Sequence, residues 1–267
     1  MNNNILKIKE IELFLFDMDG TLYLGDQLYD FTKELLNTIK KQNKRYFFMT
    51  NNSSKSVSAY IEKLKKLGID AVYDDFITSS QATALYLKEN CPNDTLYVCG
   101  TQSLKTELSE NGFNITEDIS KVDCIVMGFD TELTFKKLDD VCKILSTKKV
   151  KYIATNPDYV CPTEYGSVPD CGSVCDMVFN ATGKRPFFIG KPEPAMPNIA
   201  MKMVGCQKHK TAVVGDRIYT DIKSGINAGC ITILVMSGET TSEILENSKD
   251  KPDFVMSSAK EILEIIK

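Results

Sequence analysis

The sequence Ile-Glu-Leu-Phe-Leu-Phe-Asp-Met-Asp-Gly-Thr occupies residues 11–21 and decides the fold class. Its first six residues form a nearly continuous apolar run, which is typical of a strand covered on both faces in a parallel sheet. Asp17, Asp19 and Gly20 follow at the carboxyl end of that strand, where open parallel sheets bind ligands. Two carboxylates this close repel each other and lose hydration, so they favour a cation or a catalytic task here. An Asx turn that merely ends the strand is the alternative.

Short apolar runs alternate with helical patterns along almost the whole chain, which predicts βα units, a parallel sheet and an α/β fold. For the core we predict strands at residues 11–16, 46–49, 187–189, 211–214 and 231–235, and helices at 31–39, 57–67 and 258–266. The middle of the chain has its own strand signals at 96–99, 125–127 and 152–154 and a helix at 135–145. We therefore expect a core formed by residues 1–79 and 185–267, with a small α/β domain inserted at 80–184.

Three further predicted core strands also end in polar residues. Thr50 and Asn51 follow the second strand and precede a helix, and helix N termini hold anions. Lys191 follows the third strand, while Asp216 follows the fourth and Asp221 starts the next helix. Taken singly, Thr50 and Asn51 are explained by a plain helix cap. Lys191 would then be a surface charge, and Asp221 would be an acid favoured at the start of a helix. Together they predict a ligand site at one edge of the sheet.

The composition argues against several classes of function. A net charge of −4 provides no overall basic field for nucleic acid or an anionic membrane. The apolar runs are too short to span a bilayer, and the first residues lack the apolar core of a secretion signal, so we expect a cytoplasmic protein. The single histidine, His209, argues against Ser-His-Asp and Cys-His mechanisms. Neither a dinucleotide-binding fingerprint nor a P-loop is present, which disfavours a nucleotide-cofactor oxidoreductase.

The nine cysteines do not form a recognisable framework. Their number is odd, the chain is long, and no Cys-x-x-Cys pair occurs. We therefore expect reduced, mostly buried thiols in preference to disulfides or a structural zinc site.

Four ordered motifs resemble those of the haloacid dehalogenase superfamily, and they begin at Asp17, Thr50, Gly190 and Gly215. Segments 127–134, 155–158 and 237–240 make the chain similar to subfamily IIA, the branch of NagD-like and p-nitrophenyl phosphatase-like phosphatases. The resemblance covers nearly the whole chain. It implies a Rossmann-like parallel-sheet core with an inserted α/β cap domain of the C2a type.

This resemblance implies a Mg²⁺-dependent phosphomonoesterase that acts on small-metabolite phosphates, such as sugar phosphates or nucleoside monophosphates. Asp17 would attack phosphorus to form an aspartyl-phosphate, and Asp19 would serve as general acid and then general base. The metal would be held by Asp17, the main-chain carbonyl of Asp19 and Asp216, with Asp221 supporting these ligands. The phosphoryl oxygens would be bound by Thr50, Asn51 and Lys191.

The inserted domain would contribute the substrate contacts that select the leaving group. The residues expected nearest the substrate are Thr155, Asn156, Pro157 and Asp158, although Asn-Pro is also a turn signal. The expected partner is a small-molecule phosphomonoester, with no nucleic acid polymer and no membrane, and a homodimer remains open. The rival functions are a phosphoacceptor signalling module and a non-catalytic binding module; turnover of a phosphate ester would distinguish the enzyme from both.

Overall fold

The computed structural model describes residues 3–163 and 165–267. Its strands are β1 (Leu13–Phe16), β2 (Tyr23–Leu24), β3 (Gln27–Leu28), β4 (Arg45–Thr50), β5 (Phe76–Thr78), β6 (Leu96–Cys99), β7 (Cys124–Met127), β8 (Lys151–Ala154), β9 (Val160–Thr163), β10 (Gly166–Pro169), β11 (Phe187–Phe188), β12 (Thr211–Gly215), β13 (Ile231–Val235) and β14 (Phe254–Met256). Its α-helices are α1 (Asn3–Lys9), α2 (Thr32–Lys41), α3 (Val57–Lys66), α4 (Ser79–Asn90), α5 (Gln102–Glu110), α6 (Phe135–Thr147), α7 (Cys171–Thr182), α8 (Ala195–Val204), α9 (Lys223–Ala228), α10 (Ser242–Asn247) and α11 (Lys260–Ile266). None of the helices in these two described ranges is long and apolar enough to cross a membrane.

The chain divides into two compact units. The first unit comprises Met1–Thr50, Ser58–Ile77 and Lys191–Lys267, and the second comprises Asn51–Val57 and Thr78–Gly190. The second unit contains the segment 80–184 together with residues 51–57, 78–79 and 185–190, which were predicted from the sequence to belong to the core.

The first unit is built on a six-stranded sheet in the order β14-β13-β12-β1-β4-β5. The neighbouring strands from β14 to β4 are all parallel, and Leu13 of β1 lies opposite both Thr211 and Arg45. All four residues of β1 are buried, as the apolar run at its position predicts. From β1 the chain first extends the sheet to β4 and β5 and later builds β12, β13 and β14 on the other side. This reversal beside β1 is the kind of switch point at which open α/β sheets bind ligands.

Helix α2 shows how the sequence builds the layer that covers this sheet. Its buried residues Leu35, Leu36 and Ile39 recur at helical spacing, so one face of the helix is apolar. The helix packs against α11, whose buried residues include Ile262 and Leu263. Full burial of one such side chain contributes about 1.5–3 kcal/mol, so this packing stabilises the sheet that holds the site.

The second unit contains a four-stranded parallel sheet in the order β11-β8-β7-β6 and an antiparallel hairpin formed by β9 and β10. Helices α6 and α7 pack against each other beside the sheet, in a core that includes Ile125, Val141 and Val178. The two parallel sheets confirm the predicted α/β class.

One strand lies in a different sheet from the one expected. Residues 187–189 are predicted to form a core strand, but Phe187 and Phe188 pair with Ile153 and Ala154 of β8 in the second unit. The apolar character of this short run correctly predicts a strand, but it does not predict the strand with which the run pairs. Lys191 is the first residue after the chain leaves the second unit.

Candidate active site

The carboxyl ends of β1 and β12 bring two acids to the switch point of the first unit. Asp17 follows β1 directly, and its N–H donates to the Val214 carbonyl at 2.8 Å, so the parallel ladder fixes its backbone. Asp216 follows β12 in the same way. Each of Asp17, Asp216 and Asp221 offers a carboxylate oxygen, and these three oxygens lie within 4.8 Å of one another.

Lys191 places a buried positive charge among these acids. Its Nζ donates to Asp17 Oδ1 at 2.7 Å, to Asp221 Oδ1 at 2.6 Å and to the Met49 carbonyl at 3.2 Å. The residue is only 3% exposed, so the ion pairs are shielded from water. A buried ammonium is tolerated when it is matched by charge and hydrogen bonds, as it is here.

The site holds more negative charge than this lysine neutralises. Burial raises the pKa of Asp17 to about 8; Lys191 opposes this shift, while Asp221 and Asp216 add to it. Burial also raises the pKa of Asp216 to about 6, and the neighbouring Asp221 contributes. Although burial disfavours its charge, the carboxylates of Asp17 and Asp221 raise the pKa of Lys191 above its usual range. The arrangement therefore favours an additional cation.

Asp216 has an oxygen that such a cation would satisfy. Its Oδ2 accepts the Glu239 N–H at 2.7 Å, whereas Oδ1 is buried and has no hydrogen-bond partner among residues 3–163 and 165–267. Gly20 lies against the same carboxylate: a Cβ added at Gly20 would be 2.6 Å from Asp216 Oδ2, and its backbone has a φ of 80°. A carboxylate cluster with an unsatisfied oxygen fits a hard, oxygen-binding divalent cation.

Asp221 is the most enclosed of the three acids, with no exposed surface. It lies in a π-helical turn, Ile218–Ile222, and its Oδ2 accepts the Arg217 N–H at 3.1 Å. Such turns are frequent at functional sites. Since Lys191 and Arg217 both bind its oxygens, Asp221 orients its neighbours and is itself closed to solvent.

Asp19 contrasts with Asp221, because it is exposed. Its Oδ1 accepts the Gly25 N–H at 3.3 Å, from the turn between β2 and β3. An exposed carboxyl two residues from Asp17 is free to exchange protons with a ligand or with water.

The predicted phosphate-binding residues Thr50 and Asn51 fall in different units. Thr50 ends β4 and is 8% exposed, and it belongs to the first unit. Asn51 belongs to the second, where its Nδ2 donates to Asp158 Oδ2 at 2.9 Å. Their roles in phosphate binding stay predictions.

The segment predicted to contact the substrate from the inserted domain is part of a hydrogen-bonded network within the second unit. Thr155 and Asn156 are fully buried, while Pro157 and Asp158 are half-buried. Asn156 Nδ2 donates to Asp158 Oδ2 at 3.2 Å and to Asp170 Oδ1 at 3.0 Å. Thr155 Oγ1 lies 2.9 Å from Ser53 Oγ and donates to Asn156 Oδ1 at 2.8 Å. The network links these residues to the segment that follows Thr50.

The loop after β13 also contributes to the site, and its position there was not predicted from the sequence. Ser237 Oγ donates to the Gly20 carbonyl at 2.7 Å, and Tyr29 OH donates to the Ser237 carbonyl at 2.8 Å. With the Glu239 N–H on Asp216, this loop fixes both acidic segments. Its position directly after the predicted strand at residues 231–235 was the signal that could have identified this loop as part of the site.

Comparison with known proteins identifies the family. A family model described as haloacid dehalogenase-like hydrolase matches residues 14–114, and one described as HAD-hydrolase-like matches residues 188–262. An acid sugar phosphatase of Staphylococcus epidermidis is 37% identical over 247 residues, which cover 92% of this chain and 95% of that protein.

Two solved structures extend this likeness to the fold. The 4-nitrophenylphosphatase from Thermotoga maritima superimposes with a TM-score of 0.93 and is 40% identical, covering 98% of this chain and 99% of its own. NagD from E. coli K-12 has a TM-score of 0.86 and 28% identity, covering 94% of this chain and 98% of its own. The chain therefore belongs to the haloacid dehalogenase superfamily of hydrolases and is a phosphatase of the NagD-like and p-nitrophenyl phosphatase-like branch, subfamily IIA.

Proposed function

We propose that this phosphatase hydrolyses small-metabolite phosphomonoesters in a Mg²⁺-dependent reaction that passes through an aspartyl-phosphate on Asp17. The observation that carries the proposal is the buried Lys191 ammonium, which bridges Asp17 and Asp221 beside the unsatisfied oxygen of Asp216. A dianionic phosphate requires positive charge next to its attacking carboxylate, which Lys191 and a bound cation would supply together.

The choice of nucleophile follows from exposure. The side chain of Asp17 is 17% exposed, whereas Asp221 has no exposed surface and Asp216 is 3% exposed. Among these three clustered acids, Asp17 therefore has the carboxylate that is most open to a phosphorus atom. Its oxygen forms the new P–O bond while the ester oxygen leaves.

Asp19 is proposed to move the protons in both steps. The departing alkoxide takes a proton from the Asp19 carboxyl group, which lies two residues from the nucleophile and is exposed. In the second step the Asp19 carboxylate takes a proton from the water that attacks the aspartyl-phosphate. Inorganic phosphate leaves, and both acids return to their initial states.

The cation site fits the residues present. Asp17, Asp216 and the main-chain carbonyl of Asp19 would hold Mg²⁺, and Asp221 would keep Lys191 and the Arg217 amide in position. When bound, the cation supplies positive charge that offsets repulsion between the carboxylates and the phosphate. The unpartnered Oδ1 of Asp216 supports this assignment.

The substrate class is proposed from the relatives and from the charge of the site. Lys191, Thr50 and Asn51 are proposed to bind the phosphoryl group, which every candidate substrate shares. The relatives named acid sugar phosphatases support a sugar phosphate, and nucleoside monophosphates are the second class to test. The nine unbridged thiols support a cytoplasmic location, since disulfides are rare there.

The deciding experiment measures phosphate release from p-nitrophenyl phosphate, several sugar phosphates and several nucleoside monophosphates, each with Mg²⁺ and with excess chelator. We expect turnover that depends on Mg²⁺ and is fastest on one sugar phosphate. Undiminished turnover after thorough chelation would refute the role of the metal. Stoichiometric phosphorylation of Asp17 without release of phosphate would instead support a phosphoacceptor module.

A further inference from the structure

A second group of side chains with metal-ligand chemistry lies in the second unit, whereas the acids of the phosphatase site belong to the first unit. It consists of Cys91, Asp94 and Cys124, whose thiol and carboxylate atoms lie within 4.8 Å of one another. Cys91 is 1% exposed and Cys124 has no exposed surface, while the Asp94 side chain is 20% exposed. The group is therefore buried on its sulfur side and open to solvent at its carboxylate.

Local backbone structure brings these three residues together. Cys91 ends helix α4, with its N–H on the Leu87 carbonyl at 2.7 Å. A tight turn follows, in which the Asp94 N–H donates to the Cys91 carbonyl at 3.2 Å. Cys124 is the first residue of β7, in register with Leu96 on one side and Lys151 on the other. The sequence pattern is thus Cys-x-x-Asp plus one distant cysteine, which a search for paired Cys-x-x-Cys motifs does not detect.

The group occupies the amino ends of the parallel strands, whereas Thr155 follows β8 at its carboxyl end. Four residues of strand separate Lys151 from Thr155, a distance of about 13 Å along the sheet. The cluster is therefore separate from the network around Thr155 and Asn156.

Two sulfurs and one carboxylate oxygen form a donor set suited to Zn²⁺ and related thiophilic divalent ions. Tetrahedral Zn²⁺ with bonds near 2.3 Å to sulfur holds its sulfur ligands about 3.8 Å apart. The present separations, all within 4.8 Å, require only small side-chain adjustments to reach that geometry. A fourth position on the exposed side remains for water.

The Lys151 ammonium lies at the position beside Asp94 that a bound metal ion would take. Its Nζ lies 2.9 Å from Asp94 Oδ2 and also donates to the Asn90 carbonyl at 2.9 Å. The Lys151 side chain is 49% exposed, so its flexible stem can release the carboxylate into solvent without disturbing the core.

We propose that Cys91, Asp94 and Cys124 form a structural binding site for a thiophilic divalent metal ion of the Zn²⁺ type, which displaces the Lys151 ammonium from Asp94. The ion would tie the end of α4 to the start of β7. Binding releases the two thiol protons as the sulfurs become thiolates, and the metal replaces those protons. Metal affinity therefore rises with pH, and the bound ion raises the stability of the second unit.

Cadmium chloride is the probe, because a cadmium–thiolate bond has an ultraviolet charge-transfer band that carboxylate sites lack. Titration of the full chain in excess Mg²⁺ should give a stoichiometric band. Cys91→Ser and Cys124→Ser should each abolish it or strongly reduce it, while Cys142→Ser, which changes a half-buried thiol in the same unit, should not.

Two further variants keep both thiols and test the site even where a cysteine variant fails to fold. Asp94→Asn should weaken cadmium binding. Lys151→Met should strengthen it by roughly threefold, the scale of an exposed ion pair. A full-length chain without the band, a band that survives Cys91→Ser, or a Lys151→Met affinity equal to that of the unmodified chain would overturn the proposal. Since the phosphatase residues are intact in all these variants, failure here leaves the proposed reaction unaffected.

Discussion

The two units each place a polar cluster at the carboxyl end of a parallel strand, but the clusters differ in kind. In the first unit, three carboxylates surround one buried ammonium, and an oxygen of Asp216 has no hydrogen-bond partner in the part of the chain that the structure describes. In the second, neutral amides and hydroxyls around Asn156 hydrogen-bond to one another and to Asp158 and Asp170. The first cluster retains charge that a ligand can use, while the second uses its polar groups internally.

From this difference we expect the first cluster to take part in the reaction and the second cluster to stabilise the fold. Buried groups that are incompletely satisfied are costly, and they persist where a ligand or a reaction completes them. A network in which amide groups donate hydrogen bonds to the carboxylates beside them fixes local geometry instead. Substitutions in the first cluster should therefore affect turnover most, and substitutions in the second should affect stability.

The largest effect is expected for Asp17→Asn. The amide lacks the nucleophilic carboxylate, so turnover of p-nitrophenyl phosphate should fall by at least about a thousandfold, the scale seen when a catalytic nucleophile is removed. Circular dichroism should show an unchanged fold. Asp70→Asn, a change at an exposed acid of the same unit, should retain full activity. Substantial turnover by purified Asp17→Asn would assign the attack to another group.

Lys191→Met should affect both turnover and stability. Removing the ammonium leaves Asp17 and Asp221 facing each other in a buried site, a loss of about 3–5 kcal/mol. Urea denaturation measures this loss, and Lys249→Met, at an exposed position, is the control.

The double variant Lys191→Met/Asp221→Asn separates the two effects. Removing the second charge should restore much of the stability, because one fewer carboxylate is left without its partner. Turnover should stay low, since the phosphate still lacks its cation. Recovery of full activity would show that Lys191 serves only to neutralise Asp221.

Asn156→Leu should give a moderate effect confined to stability. It removes two donated hydrogen bonds and leaves carboxylate oxygens of Asp158 and Asp170 with fewer partners, at a cost of about 1–3 kcal/mol. Turnover of p-nitrophenyl phosphate should change little, and the preference among sugar phosphates should be kept. A changed preference at normal stability would support the predicted substrate contact of residues 155–158.

The smallest effect is expected at Glu107 in α5. Burial raises its pKa to about 7, with Glu110 contributing, and none of the described residues forms a hydrogen bond with its Oε1. Between pH 4.5 and 7 the folded state then holds more protons than the unfolded state, so the free energy of unfolding falls as pH rises. The loss should be about 1 kcal/mol for this partly exposed group. Thermal unfolding across this range measures it, and Glu107→Gln should flatten the profile more than Glu110→Gln.

The sequence predicted that Asp17, Lys191, Asp216 and Asp221 would lie at one edge of the sheet, and the structure brings them together for a physical reason. Their roles in the reaction stay predictions. Residues that directly follow buried strands, such as Asp17 and Asp216, have positions fixed by the ladder, so a strand pattern also predicts where their side chains meet. Lys191 lies beside Asp17 and Asp221, although the strand that precedes it belongs to the other unit's sheet; its role in phosphate binding stays a prediction. Pairing partners depend on tertiary packing, which a short apolar run such as Phe187–Phe188 does not encode.

Contacts made by main-chain groups were beyond sequence reasoning. The Met49 carbonyl on Lys191 and the Glu239 N–H on Asp216 depend on loop geometry and are independent of side-chain identity. The cluster of Cys91, Asp94 and Cys124 was missed because its members come from a turn and a distant strand. A sequence motif identifies metal-binding residues that are close together in the chain. It does not identify residues that are distant in the chain and become neighbours only when the sheet forms.

The ion pair between Lys191 and Asp17 joins residues that are 174 positions apart, and this has a consequence during synthesis. When β1 leaves the ribosome, the lysine that neutralises Asp17 and the strand β12 that pairs with β1 have not been made. The continuous segment Thr78–Gly190 emerges complete before either of them. The nascent chain therefore carries an apolar strand without one of its two neighbours in the sheet, and the proposed site is complete only after Asp216 and Asp221 have been translated.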